Sequence, residues 1–316
     1  DCGVIAPVSN ARIKRNITIM KPFALLLAAA IGLSSLMPAA LAENAVSFER
    51  SYVTHDWGQI HVLTSQPEVS DHPVPLVCFA PNPYSGNYYR LFMEALGSDR
   101  TMLALDYPGI GQSDNYPGEL DMGTLAEIMA DSLASLGWGP DGGGPVDLCG
   151  YHTGTMLATE LAVTHPELVR RIVLMGIPYY DAAGRQERFD RLGQVKPWPD
   201  SFAAVAQDWI FAVEMRNDKV SLERAYGNYL ESAGAWQGKA RIYGAVFQYP
   251  AEERAPLLTQ PTLVLNPHGN LKEPSRAFAE MIDGATLIEL PDLKYGIFDA
   301  SPDVLASHAR PFLNQR

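Results

Sequence analysis

From residue 46 onward, short runs of hydrophobic residues alternate with segments in which hydrophobic residues recur at helical spacing. The runs PLVCFA, TMLALDY and RIVLMGI are almost continuously apolar, which is typical of strands buried on both faces of a sheet. Segments such as LAEIMADSLASL carry apolar residues every three or four positions, which predicts helices with one buried face. The alternation predicts an α/β fold with a mostly parallel sheet covered by helices.

The pattern predicts eight strands, of which the last six are separated by helices. The first two, VSFERSYV and QIHVLTS, form a hairpin that turns at Asp56, Trp57 and Gly58. The remaining six strands are predicted in PLVCFA, TMLALDY, PVDLCGY, RIVLMGI, PTLVLN and ATLIEL.

One long interval interrupts this alternation after the sixth strand. Residues 178–260 are rich in aromatic residues and contain helix-like runs such as SFAAVAQDWIFAVEMR and SLERAYGNYLES. A structureless loop of this length is uncommon in a compact domain, so the interval is interpreted as an inserted helical cap. The core is then expected in residues 43–177 and 261–316.

Residues 1–42 are expected to lie outside the folded unit. Met20 and Lys21 precede the apolar run PFALLLAAAIGLSSLMPAALA, which ends in small residues. This arrangement predicts a secretory signal peptide that begins at Met20 and is cleaved before Glu43. Cleavage there would make the protein periplasmic or secreted. The alternative is an uncleaved membrane anchor, since the apolar run is close to the ~20 residues that a transmembrane helix needs.

The charge of the chain indicates which kinds of binding partner are disfavoured, and its cysteines bear on whether a disulfide forms. The chain has 24 basic and 36 acidic residues, a net charge of −12, which disfavours binding to nucleic acid or anionic lipid. We expect a small-molecule substrate, no cofactor, no metal and no stable membrane association after signal cleavage, while the oligomeric state stays open. Cys78 and Cys149 lie inside apolar strands and are interpreted as buried small hydrophobes rather than a disulfide.

The stretch LCGYHTGTMLA, residues 148–158, carries the clearest functional signal. It predicts a strand, a tight turn and a helix, with His152 at the tip between Gly150 and Gly154. Such a turn lifts one side chain above the edge of the sheet and needs small flanking residues. The tip is where a nucleophile is normally found, and here it is a histidine.

Five segments in this order resemble the α/β-hydrolase fold, particularly its capped branch of haloalkane dehalogenases, epoxide hydrolases and related esterases. They are APNPYSGNYYR, ALDYPGIGQSD, GYHTG, PTLVLNPHGN and IELPDLKYGIFDASPD. The resemblance implies that His152 occupies the nucleophile position, Asn270 that of the acid and Tyr295 that of the histidine. All three members of the usual triad are therefore changed, and Ala80-Pro81 replaces the usual His-Gly.

The donors that stabilise an oxyanion are expected to survive these changes. The backbone N–H of Thr153 opens a helix beside the tip, and Asn82 supplies an N–H between two prolines that have none. Two such donors stabilise an oxyanion by ~3–4 kcal/mol each when well placed. Asn82 can instead close a turn between the prolines. The pocket wall is expected to include Tyr84, Tyr151, Tyr179, Tyr180, Trp198 and Trp209.

The role of His152 has three interpretations: general base, nucleophile, or a relic that only fills the pocket. Tyr295 is a hydrogen-bond donor or general acid, since a phenol with a pKa near ~10 is no base at neutral pH. Asn270 or Asp181 can orient the imidazole, and His268 either faces the pocket or lies in solvent. Asp106 is interpreted as structural.

These residues favour an exported hydrolase-type enzyme that acts on a small, largely apolar substrate with His152 replacing the nucleophile. The alternatives are a lyase or isomerase that uses His152 as its base, and an inactive protein that only binds a small molecule. A metal site built from His152 and His268 is disfavoured, because two histidines without a nearby carboxylate make a weak site.

Overall fold

The structure, a computed structural model, describes residues 46–315. The predicted signal peptide lies outside the described residues. Within residues 46–315, no helix is both long enough and apolar enough to cross a membrane.

The eight predicted strands form one sheet, which confirms the mostly parallel architecture. Strands β1 and β2 are antiparallel to each other, β2 is antiparallel to β4, and all other neighbours are parallel, in the order β1-β2-β4-β3-β5-β6-β7-β8. The strands are β1 (Val46–His55), β2 (Gly58–Pro67), β3 (Leu76–Phe79), β4 (Met102–Leu105), β5 (Val146–Tyr151), β6 (Val169–Met175), β7 (Thr262–Pro267) and β8 (Thr286–Leu290).

Helices pack on both faces of this sheet. Those between core strands or after the last strand are α1 (Arg90–Leu96), α2 (Met122–Ser135), α3 (Thr153–Thr164), α9 (Lys272–Ala279), α10 (Ile297–Ala300) and α11 (Pro302–Leu313). The short α10 was not predicted, because four residues are too few to show a helical period.

The interval between β6 and β7 is helical. It contains α4 (Ala182–Leu192), α5 (Phe202–Trp209), α6 (Leu222–Gly234), α7 (Trp236–Gln248) and α8 (Ala251–Arg254). The single helix suggested by SFAAVAQDWIFAVEMR changes to a π-helix at Ile210–Glu214. We call residues 178–260 the cap segment; that it is a separate domain stays a prediction.

Alternating side chains of the central strands build two apolar layers, one on each face of the sheet. In β3, Val77 and Phe79 pack on the face covered by α2 and α3. Leu76 and Cys78 pack on the other face, against α1 and α11. Cys149 lies beside Cys78 in register, and both thiols are free and buried, as their apolar context predicted.

The strand order places the ends of β3 and β5 side by side at the centre of the sheet. The chain crosses from β3 to β4 in one direction and then returns past β3 to β5, so the order reverses there. In open parallel sheets, ligands bind beyond the carboxyl ends of the strands at such a reversal. The loop with Asn82 and the turn with His152 follow β3 and β5 at this point.

Candidate active site

His152 stands at the tip of a strained strand-to-helix turn. It directly precedes α3 and has φ 50° and ψ −117°, the only positive φ of a non-glycine residue within residues 46–315. Such a backbone costs roughly 1–3 kcal/mol and persists only when the surroundings enforce it. The His152 N–H donates to Met175 O (3.2 Å), and its carbonyl accepts from the Thr155 N–H (2.9 Å).

The two flanking glycines are required by close backbone contacts. A Cβ atom on Gly154 would lie 1.8 Å from Phe79 O, and one on Gly150 would lie 2.4 Å from Gly154 O. Real Cβ atoms essentially never approach other atoms this closely. The two glycines are therefore required by the geometry of the turn, whichever residue occupies its tip.

A cavity of about 140 Å³ lies beside this turn. Four of the predicted site residues line it together: Asn82, His152, Thr153 and Asn270. The cap segment and neighbouring loops complete the wall with Pro178, Tyr180, Arg188, Arg191, Leu192, Tyr243, Val246, Phe247 and Leu271.

Two backbone N–H groups in this wall have no partner within the described residues. The Thr153 N–H begins α3, where no carbonyl of the same helix can accept it. The Asn82 N–H likewise donates to no described atom. The loop that holds it is fixed by two other bonds, from Asn82 Nδ2 to Lys239 O (2.8 Å) and from the Tyr243 hydroxyl to Asn82 O (3.0 Å). The predicted pair of donors thus borders the same cavity as His152.

The imidazole of His152 is held by packing rather than by a hydrogen bond. Its ring meets the edge of Tyr151 with centroids 4.3 Å apart, and no described side chain forms a hydrogen bond with it. Burial lowers the pKa of His152 from 6.5 to about 4. At neutral pH the ring is therefore uncharged, with a nitrogen lone pair available to accept a proton.

This lowered pKa predicts a pH-dependent stability that His152→Gln removes. Between pH 4 and 6.5 the unfolded chain binds the proton more readily than the folded one, so the free energy of unfolding falls as the pH drops through this window. The full shift corresponds to about 3 kcal/mol. Urea denaturation at pH 7.5 and 4.5 should show a smaller loss in His152→Gln than in the wild type. An equal loss in both proteins would contradict the lowered pKa.

Neither of the two residues predicted to orient the His152 imidazole forms a hydrogen bond with it. Asn270 lines the cavity but is exposed and makes no hydrogen bond to the imidazole. Asp181 accepts from the Gly184 N–H (2.8 Å) and so caps the start of α4. Because the Asp181 carboxylate is bound to the helix backbone, the structure does not support Asp181 as a triad acid.

The structure does not bring Tyr295 to His152. Tyr295 is 55% exposed and lines a second cavity of about 180 Å³ with Asn217 and Lys219. Its carbonyl accepts from Asn217 Nδ2 (3.2 Å), and Gly296, with φ 62°, turns the chain immediately afterwards into α10. Tyr295 and His152 thus line different cavities, and the predicted role of Tyr295 as a proton donor to His152 is not supported.

His268 does not line the cavity of His152 either. Its Nε2 lies 2.7 Å from Glu289 Oε2, and Arg276 Nε binds the other carboxylate oxygen at 2.6 Å. The bond from Arg276, followed by those from His268 and Asn266, lowers the pKa of Glu289 to about 2. His268 thus belongs to an ion-pair network on β8. No group of three or more His, Cys, Asp or Glu side chains within residues 46–315 is placed to hold a metal.

Most of the predicted aromatic residues do not line the cavity. Tyr84 stacks on Tyr88 (5.1 Å), and Tyr88 stacks on Tyr151 (6.1 Å), which is buried. Only Tyr180 of the predicted aromatic residues lines the cavity, while Trp198 is exposed. Tyr84 and Tyr151 therefore belong to an aromatic cluster around Tyr88 and do not form the wall.

The sequence did not point to eight of the wall residues, and the three polar ones among them, Arg188, Arg191 and Tyr243, lie in the cap segment. A signal for the arginines was present, because Arg185, Arg188 and Arg191 recur every third residue and share one face of α4. Tyr243 has no such signal. Burial raises its pKa to about 12, so its hydroxyl stays a donor to the Asn82 carbonyl.

The doubly wound sheet and the strained turn after β5 define the class of α/β hydrolases. The chain belongs to the alpha/beta hydrolase fold family, whose sequence model matches residues 74–242. Asp106 serves this fold as a structural residue, since its carboxylate accepts from the Gly86 N–H (2.7 Å) and the Gln112 N–H (3.0 Å).

Similar proteins include hydrolases of several kinds. The chain is 28% identical over 210 residues to pyrrolizixenacetamide deacetylase of Xenorhabdus hominickii, covering 63% of this chain and 75% of that protein. It is 27% identical over 124 residues to (E)-2-((N-methylformamido)methylene)succinate hydrolase of Acinetobacter baylyi, covering 39% of this chain and less than half, 44%, of that protein.

Solved structures share the fold at lower identity. A hydrolase from Pseudomonas aeruginosa superposes with a TM-score of 0.67 at 19% identity, covering 84% of this chain and 98% of that one. The enol-lactonase of Burkholderia xenovorans gives 0.67 at 17% identity, covering 84% and 100%.

Proposed function

We propose that the protein is a hydrolase that cleaves an acyl bond in a small substrate by direct attack of water, with His152 as the general base. The observation that carries this proposal is the meeting of three groups at one cavity: the uncharged His152 imidazole and the unpaired N–H groups of Thr153 and Asn82. The names of the relatives support the same reaction type, since they include a deacetylase and a succinate-derivative hydrolase.

In this reaction the substrate carbonyl oxygen accepts from the Thr153 and Asn82 N–H groups. His152 removes a proton from water while the oxygen of that water bonds to the carbonyl carbon, and the carbonyl electron pair moves onto the oxygen. The two donors stabilise the resulting oxyanion. When the intermediate collapses, the bond to the leaving group breaks, and the imidazolium returns its proton to that group. An acid and an alcohol or amine result.

Water attack is favoured over attack by His152 itself. A nucleophilic imidazole would form an acyl-imidazole and would need a second base to activate the water that hydrolyses it. Among the described residues that line the cavity, His152 is the one side chain able to accept a proton at neutral pH, since the others are apolar, amide, phenol, hydroxyl or guanidinium groups. Because the cavity offers a single base, direct attack of water is favoured.

Isotope labelling and mass spectrometry test this proposal. Turnover of p-nitrophenyl acetate in H₂¹⁸O should place one ¹⁸O in the acetate and leave the protein mass unchanged during the reaction. An acyl adduct on the peptide that contains His152 would show nucleophilic catalysis instead. If no ester or amide is cleaved faster than in buffer, the cavity binds without turnover and the proposal fails.

A further inference from the structure

The cavity beside His152 has a charge opposite to that of the chain. Arg188 and Arg191 are among its lining residues, and no aspartate or glutamate is. The chain as a whole has a net charge of −12. A local positive wall in an acidic protein attracts an anion to this site rather than to the surface in general.

Arg191 has no partner among the described residues. It is exposed at the end of α4 and lines the cavity, and its sequence neighbour Asp190 is occupied by Gln186 Nε2 at 2.8 Å. One turn and a half earlier on the same helix, Arg185 is paired with Glu252 at 2.6 Å. Of these two arginines of α4, the one without a partner is the one that lines the cavity.

Arg188 is held in place but keeps donors free. Its guanidinium lies 3.6 Å from the centroid of the Tyr180 ring, and its Nη1 donates to Gly184 O at 3.0 Å. A guanidinium has five N–H donors in a rigid fork that matches the two oxygens of a carboxylate. Arg188 thus presents a fixed cation, and Arg191 adds a second lining arginine without a partner among the described residues.

The inner end of the cavity carries an unsatisfied polar atom. Asn82 is 6% exposed, and its Oδ1 is a buried acceptor with no donor among the described residues. Leaving such a buried acceptor unpaired is unfavourable. A ligand that brings an O–H or N–H to this end, such as the attacking water or a substrate amide, would remove this cost.

We propose that this cavity recognises carboxylate-bearing substrates, namely half-esters or half-amides of short dicarboxylic acids. The carboxylate binds Arg191 and Arg188, and the acyl carbonyl reaches the Thr153 and Asn82 N–H groups; this placement rests on the proposed hydrolysis. A cavity volume of about 140 Å³ suits a short acyl part. The leaving group extends towards solvent.

A bound carboxylate would also assist the reaction. A negative charge near His152 favours the imidazolium and raises the pKa of the ring above its value in the empty cavity. A stronger base results when the correct substrate is bound. An uncharged ester of the same size gives His152 no such help.

Calorimetric binding of succinate, compared with uncharged succinamide, tests the inference without any turnover. We expect the wild type to bind succinate and Arg191→Gln to bind it at least tenfold more weakly, with succinamide showing no heat of binding in either protein. Arg185→Gln removes the same charge from α4 outside the cavity and should bind succinate as the wild type does. Arg191→Lys, which keeps the charge but loses the fork, should bind succinate more tightly than Arg191→Gln does and guards against misfolding of the first variant.

Equal affinity for succinate and succinamide, equal weakening in Arg185→Gln, or no succinate binding at tens of millimolar would overturn the inference. Its failure is separable from that of the proposed function. Arg191-dependent binding without cleavage of any half-ester would leave the recognition site standing and remove the hydrolysis. Cleavage of neutral esters that depends on His152, without carboxylate binding, would do the reverse.

Discussion

Replacing His152 by alanine is expected to lower kcat/KM for short acyl esters by about 100-fold or more, since general base catalysis contributes roughly 10²–10⁴. The cavity offers no second base that could take over the proton from water. The unpaired N–H groups of Thr153 and Asn82 remain in the variant, so a residual rate above that of buffer should persist. Initial rates at pH 7.5 with matched protein concentrations measure the ratio.

The matched control is His165→Ala. His165 lies at the far end of α3, where it contacts Glu127 at 3.1 Å and does not line the cavity. Its loss should leave kcat/KM within about twofold of the wild type, as expected for a surface change. Activity retained in His152→Ala would move the chemistry to another residue.

We also expect His152→Ser to give no efficient esterase, because Tyr295 lies in another cavity and no base is left for the serine.

Gly154→Ala is expected to destabilise the fold by about 3 kcal/mol or more, or to prevent folding. The new Cβ would meet Phe79 O at 1.8 Å, which is backbone of a buried central strand and has no room to yield. Overpacking of a rigid core typically costs 1–3 kcal/mol, and a clash with backbone lies at the upper end. The free energy of unfolding from urea denaturation gives the difference.

Gly227→Ala is the control for this substitution. Gly227 lies inside α6, and a Cβ there would meet no atom within 4 Å. Alanine in an open helical position stabilises by roughly 0.5–1 kcal/mol relative to glycine. A Gly154→Ala protein as stable as Gly227→Ala would show that the turn after β5 is looser than the structure indicates.

The fold could be predicted because its signals are local and repeated. Buried strands such as Leu76–Phe79 are apolar on both faces, and the helices between them show a helical period, so each element is readable from its own residues. The turn at His152 was also predictable, since Gly150 and Gly154 must be small wherever the rest of the chain lies. The π-helix at Ile210–Glu214 was not, because a change of helix type leaves no mark in hydrophobic spacing.

The composition of the site was less predictable, because it depends on where loops turn. Asn82 and Thr153 follow central strands directly, and the sheet carries them to His152. Tyr295 lies several residues beyond β8, and one turn at Gly296 is enough to direct it into another cavity. Arg191 reaches the site only through the packing of α4, which strand-by-strand alignment does not describe.

The uncharged state of His152 and the proposed anion binding in its cavity can be measured together. Titration of the protein labelled with ¹³C-histidine measures this by NMR, with the His152 signal assigned as the one missing from His152→Gln. We expect a pKa of His152 near 4 in the free protein, rising when saturating succinate is bound. A pKa near ~6.5 that does not respond to succinate would contradict both the burial of the imidazole and its place beside a carboxylate site.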